Sequence, residues 1–122
     1  MMQDNANTAV LRAGIPETNA YFYHRLRFSV GDPAALIELP GPDGSGRSIL
    51  ILRDIEMQRA RQHARADQVA CPADFAPGSG LSGDRETATA QAVAECLRRH
   101  GIQRVIGDRP LPLIFVDLVR QA

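Results

Sequence analysis

The chain contains no lysine; all 14 of its basic residues are arginine. That excludes a lysine nucleophile, a Schiff base and the lysine of a phosphate-binding P-loop. Cysteine is scarce. Two residues, Cys71 and Cys96, make no disulfide framework. The expected state is a reduced cytoplasmic chain with two small buried thiols, a single disulfide being the alternative. No apolar run reaches the roughly 18–20 residues of a membrane-spanning helix. The start, MMQDNANTAVLRAG, lacks the basic and apolar regions of a secretory signal. Net charge is missing too, since 14 acidic residues balance the 14 arginines. The general drive toward nucleic acid or an anionic membrane is therefore removed, and neither is expected as a partner. The metal-binding spacings HxxxH, HExxH and CxxC do not occur, so no metal ligand is expected in the chain.

What is present is an ordinary soluble composition, 44% apolar and 23% charged over 122 residues, enough for one domain. Residues 1–7 are polar and read as a flexible N-terminus, and residues 8–122 as the domain. Residues 8–14 read as a short strand. Thr18 or Asn19 can cap the helix that follows. The segment AYFYHRLRF is the aromatic centre of the chain, and Gly31-Asp32-Pro33 reads as a turn. Residues 34–39 and 48–53 read as strands apolar enough to be buried. They are joined by PGPDGSGR in a hairpin-like connection, so the sheet begins as an antiparallel meander. Asp54 can cap a helix whose inward candidates are Ile55, Ala60 and Ala64. Residues 67–71 read as a strand and residues 72–83 as a loop.

The strongest helical pattern runs over 84–100, with Ala88, Ala92, Val93, Cys96 and Leu97 on one face. Gly101 suits its C′ position. A strand over 103–107 precedes an amphipathic helix carrying Leu111, Ile114, Phe115, Leu118 and Val119. The order predicts an α/β fold, a mixed β-sheet flanked by helices.

Several constellations invite chemistry. GPDGSGRS resembles a phosphate loop, but arginine stands in the lysine position and a strand follows, so a hairpin loop is the reading. His63 and His100 are accounted for as a solvated residue and a helix C-terminal residue. Asp54 and Asp108 end strands, as magnesium-binding carboxylates do in nucleases, yet two fall short of the required cluster. Ser45, Ser48, Ser79 and Ser82 sit among turn-formers, without a nucleophile elbow. That leaves Tyr23, His24, Arg25, Arg27 and Phe28. Interleaved aromatics and arginines characterise recognition surfaces. Tyr21, Phe22 and Leu26 are read as core.

Four segments, taken in order over about residues 10–122, resemble the N-terminal domain of the creatinase, prolidase and aminopeptidase P family. They are Asn19-Ala20-Tyr21-Phe22-Tyr23 through Phe28, then GDPAALIEL, then SILILRDIEMQRARQ with Arg59-Ala60-Arg61, and finally ETATAQAVAECLRRHGIQRVIGDRPLPLIFVDLVRQA. The family's Tyr-Leu-Thr-Gly stretch is replaced here by Tyr21-Phe22-Tyr23-His24-Arg25, which leaves the subfamily open. The resemblance implies a ribonuclease H-like α/β sandwich without ribonuclease chemistry. It implies a non-catalytic accessory domain, with no catalytic residue of its own, serving dimerisation and closure over the active site of a cytoplasmic Xaa-Pro dipeptidase or aminopeptidase P-like metallopeptidase. The catalytic pita-bread domain is expected beyond residue 122. Its divalent metal (Mn, Zn or Co) is held there by two aspartates, a histidine and two glutamates, none of which maps onto this chain. The implied partners are that C-terminal domain, a second copy of the full-length protein and a proline-containing peptide as the parent's substrate. By position His24, Arg25 and Arg27 are the candidate substrate contacts, an arginine pairing with a substrate carboxylate. The alternatives are a free-standing α/β module that binds a small ligand or a protein, and a small magnesium-dependent nuclease.

Overall fold

In the computed structural model, residues 7–41 and 46–121 are described. Five strands form one mixed sheet. They are β1 (Thr8–Gly14), β2 (Ala34–Glu38), β3 (Ser48–Ile51), β4 (Gln68–Ala70) and β5 (Arg104–Gly107). The spatial order is β4-β3-β2-β1-β5. β1–β2 and β2–β3 are antiparallel, while β1–β5 and β3–β4 are parallel. The meander read from the sequence is therefore present. Its connecting loop at residues 42–45, and the flexible N-terminus apart from Asn7, fall outside the described residues.

Four helices cover the sheet: α1 (Ala20–Leu26), α2 (Met57–His63), α3 (Arg85–Arg99) and α4 (Leu113–Gln121). Side chains of a strand alternate between faces, and the two halves of the core follow that alternation. Ala9, Leu11, Ala13, Ala35, Ile37, Ile49 and Ile51 meet α3 and Phe115 of α4 on one face. Ala34, Leu36, Leu50 and Leu52 meet Phe22 and Leu26 of α1 and Ala60 of α2 on the other. β2 and β3 are thus buried on both faces, as their unbroken apolar runs require.

Several local readings change. Asn19, not Thr18, caps α1, its Oδ1 accepting from Phe22 N–H at 3.2 Å. Thr18 closes a 3-10 turn over Pro16–Thr18 through Ile15 O. Tyr21 is 73% exposed and not core. Phe22 and Leu26, four apart, own the buried stripe, which turns Tyr21 and Arg25 outward. Asp54 caps nothing; it opens a 3-10 turn, Asp54–Glu56, ahead of α2. That turn rotates Ile55 into solvent, and Met57 packs beside Ala60 in its place. The loop over 72–83 contains a helical turn, Pro72–Phe75, that buries Phe75. The two cysteines are unbridged, and only Cys96 is buried, Cys71 being half-exposed. Asp84 caps α3 by accepting from Thr87 N–H at 2.9 Å, and Gly101 after it has φ +66°.

Candidate functional site

The α1–α2 layer covers β2 and β3, packs on Val69 of β4 and only touches β1. On that side Thr8, Val10 and Arg12 of β1 are half-buried, and Arg104 and Ile106 of β5 are exposed. Among the described residues, that side of β5 and part of β1 is therefore left open. It also sits at a topological switch point. β1 and β5 are parallel neighbours, and the chain leaves β1 toward α1 on one face and β5 toward α4 on the other. In open α/β sheets the crevice beyond such carboxyl ends is where ligands are held.

The crevice is lined by Arg12, Tyr21, His24, Arg25, Arg65 and Asp108, and its volume is about 370 Å³. Each element delivers its residue for a local reason. Arg12 shares the phase of Val10 on the uncovered face of β1. His24 and Arg25 lie in the last turn of α1, where positive charge meets the helix C-terminal dipole. Arg65 is drawn in because its backbone N–H donates to Leu26 O at 2.9 Å, which pins the end of α2 to the end of α1. Asp108 follows β5 and opens a turn in which Leu111 N–H donates to its carbonyl.

Glu38, at the end of β2, is the electrostatic hub. Arg25 donates to both of its oxygens, Nη2 to Oε1 at 2.8 Å and Nε to Oε2 at 3.1 Å. Arg12 Nη1 also donates to Oε2. The hydrogen bonds and charge of Glu38 raise the Arg25 pKa, opposed by a smaller desolvation effect. One carboxylate shared by two guanidinium groups leaves a net positive rim. Arg65 adds a cation without an ion pair among the described residues. Asp108 Oδ1 is buried and receives no protein hydrogen bond among those residues.

Of the three residues singled out from the sequence, His24 and Arg25 line this crevice, and Arg27 lies outside its lining, beside His24. Arg25 is held by Glu38. His24 and Arg27 are both exposed, with Arg27 Nη2 3.3 Å from His24 Nδ1. A guanidinium can only donate, so Nδ1 is the acceptor in this contact. Arg27 is the C-cap of α1 and takes the left-handed conformation, φ 56° and ψ 36°, its N–H donating to Tyr23 O at 2.6 Å. It is the one non-glycine residue with positive φ among the described residues. Sequence reasoning missed Arg12, Glu38, Arg65 and Asp108 as members of this site. The available signal was one charge in phase with the outward positions of each strand, Arg12 in TAVLRAG and Glu38 in AALIE.

The other candidates stay apart. His24, His63 and His100 belong to α1, α2 and the end of α3, and His100 Nδ1 lies 2.8 Å from Cys96 O. Asp54 is exposed, and lies in the turn before α2. Among the described residues no three His, Cys, Asp or Glu side chains converge as a metal site. No helix among them is long and apolar enough to cross a membrane. Comparisons with protein-family models, curated proteins and solved structures return no match.

Proposed function

We propose that the chain is a non-catalytic accessory domain of the creatinase, prolidase and aminopeptidase P type. In this reading it is a ribonuclease H-like layer that supports dimerisation in the cytoplasm and closes over the active site of an Xaa-Pro metallopeptidase. The observation that carries the proposal is the open side of β5 and part of β1, rimmed by arginines from β1, α1 and the end of α2. Parallel strands are usually covered on both faces, and β1 and β5 are a parallel pair. A face left open, with Arg12, Arg25, Arg65 and Tyr21 at its edge, suits a second body and an anionic group between the two. The order strand, capped helix, two antiparallel strands and alternating helices and strands also supports the resemblance. Within this reading Arg25 is a positioning residue, because Glu38 engages it. His24 and Arg27, exposed and in contact with each other, are the groups offered to the carboxylate of a proline-containing peptide. The metal and its ligands belong to the catalytic domain, and no step of the hydrolysis runs through this chain.

The test begins with the reading frame beyond codon 122. It is expected to encode a domain with two aspartates, a histidine and two glutamates as metal ligands, and its product is expected to cleave Xaa-Pro peptides. In that product His24→Ala and Arg27→Ala are each expected to raise KM about tenfold, the loss of one charge-assisted hydrogen bond. Unchanged KM and kcat overturn the assignment of these two residues. A frame that closes at residue 122 overturns the accessory-domain reading and leaves a free-standing α/β binding module.

A further inference from the structure

On the opposite face, α4 packs mainly against α3 and leaves a groove between itself and β5. The groove has a volume of about 740 Å³, within the roughly 300–1,000 Å³ of small-molecule sites. Its floor is apolar: Leu97, Val105, Leu111, Phe115 and Val119. Gly107 shapes one end, because a Cβ there would lie 2.6 Å from Leu111 Cδ2. The missing side chain lets Leu111 fold over the strand end. Three arginines stand at the rim. Arg98 is held by Glu95, with Nη2 to Oε2 at 2.5 Å. Arg109 and Arg120 are exposed and make no ion pair among the described residues. Asp108 is the one acidic residue in the lining.

We infer that this groove binds a carboxylate-headed amphiphile, its apolar chain along Val105, Val116 and Val119 and its head between Arg109 and Arg120. An apolar trough buries a chain, and two cations without protein partners select a negative head. The groove runs along the α3–α4 side of the sheet and meets the arginine-rimmed crevice only at Asp108, and the inference does not rest on the function proposed above.

Decanoate titrated into the full chain, followed by calorimetry and amide chemical-shift mapping, tests the inference. The shifts are expected at Val105, Leu111, Val116 and Val119. Octanoate is expected to bind about fifteenfold more weakly, two methylenes fewer at about 0.8 kcal/mol each. Arg109→Ala and Arg120→Ala are each expected to weaken decanoate several-fold to tenfold. Gly107→Ala is expected to push Leu111 into the groove and weaken binding without loss of the fold, as read by circular dichroism. Phosphatidylglycerol vesicles distinguish a lipid surface from the free acid, and co-sedimentation without decanoate binding overturns the inference. It is equally overturned by decanol binding as tightly as decanoate, by equal affinity for octanoate, or by shifts confined to the opposite sheet face.

Discussion

Arg27→Gly is expected to stabilise the chain. Arg27 ends α1 in the left-handed region at φ 56°, where a Cβ approaches the following carbonyl oxygen and costs about 1–2 kcal/mol. Glycine removes that contact. It also gives the unfolded chain more freedom, an opposing loss of about 0.5–1 kcal/mol. The hydrogen bond to His24 joins two exposed side chains, and an exposed pair of this kind contributes little, roughly 0–0.5 kcal/mol. The balance centres on a gain of about 0.5 kcal/mol, or about 2 °C in Tm for a domain of this size. Arg27→Ala is the control, because alanine keeps the Cβ and therefore the strain. Urea unfolding followed by far-ultraviolet circular dichroism measures all three proteins, with the slope m expected to be unchanged. Arg27→Gly no more stable than Arg27→Ala would refute the reasoning. A gain in stability that accompanies a rise in KM of the full-length enzyme would mean that strain is retained at α1 for the sake of the arginine.

Glu95 predicts a pH dependence. Hydrogen bonds from Arg98 and Arg99 lower its pKa to about 2. A carboxyl depressed in the folded state contributes stability above its unfolded pKa, and loses it as pH falls through the folded one. The contribution is thus complete above about pH 4.5 and fades toward pH 2; Glu95→Gln is expected to flatten stability across that window in acid titrations. Phe22→Ala is expected to cost about 3–5 kcal/mol, since the ring is fully buried. Tyr21→Ala, one residue away and mostly exposed, is expected to stay within about 0.5 kcal/mol, both read by urea melts. Burial pushes the Cys96 thiol up to about 11. Iodoacetamide at neutral pH is therefore expected to label Cys71 in the folded chain and Cys96 only after unfolding, which peptide mass mapping resolves.

The layers of the fold were legible because hydrophobic period carries them. Ala88, Ala92, Val93, Cys96 and Leu97 mark the buried side of α3, and the apolar runs of β2 and β3 mark strands covered twice. Short elements were harder. A 3-10 turn of three residues shifts phase by a fraction of a helical turn, and at Asp54–Glu56 that shift turned Ile55 outward. Periodicity cannot detect a change confined to one turn. The candidate site was half visible. His24, Arg25 and Arg27 are adjacent in sequence and announce themselves. Arg12, Glu38, Arg65 and Asp108 reach the same crevice from four other places in the chain, and only the strand register assembles them. Whether an arginine is free or held by a carboxylate is likewise a pairing fact, as Arg25 and Glu38 demonstrate.

β1 sits between β2, a near neighbour in the chain, and β5, whose residues 104–107 lie almost a full chain length away. The meander can pair as soon as it is made, whereas β1–β5 is the strand pairing of greatest sequence separation among the described residues and raises the contact order. During synthesis, the outer side of β1 stays a bare hydrogen-bonding edge until β5 leaves the ribosome. Chains interrupted before residue 104 therefore present Thr8–Gly14 as a template for another strand just when the core lacks Phe115, so an unpaired edge and a thinned core act together toward aggregation.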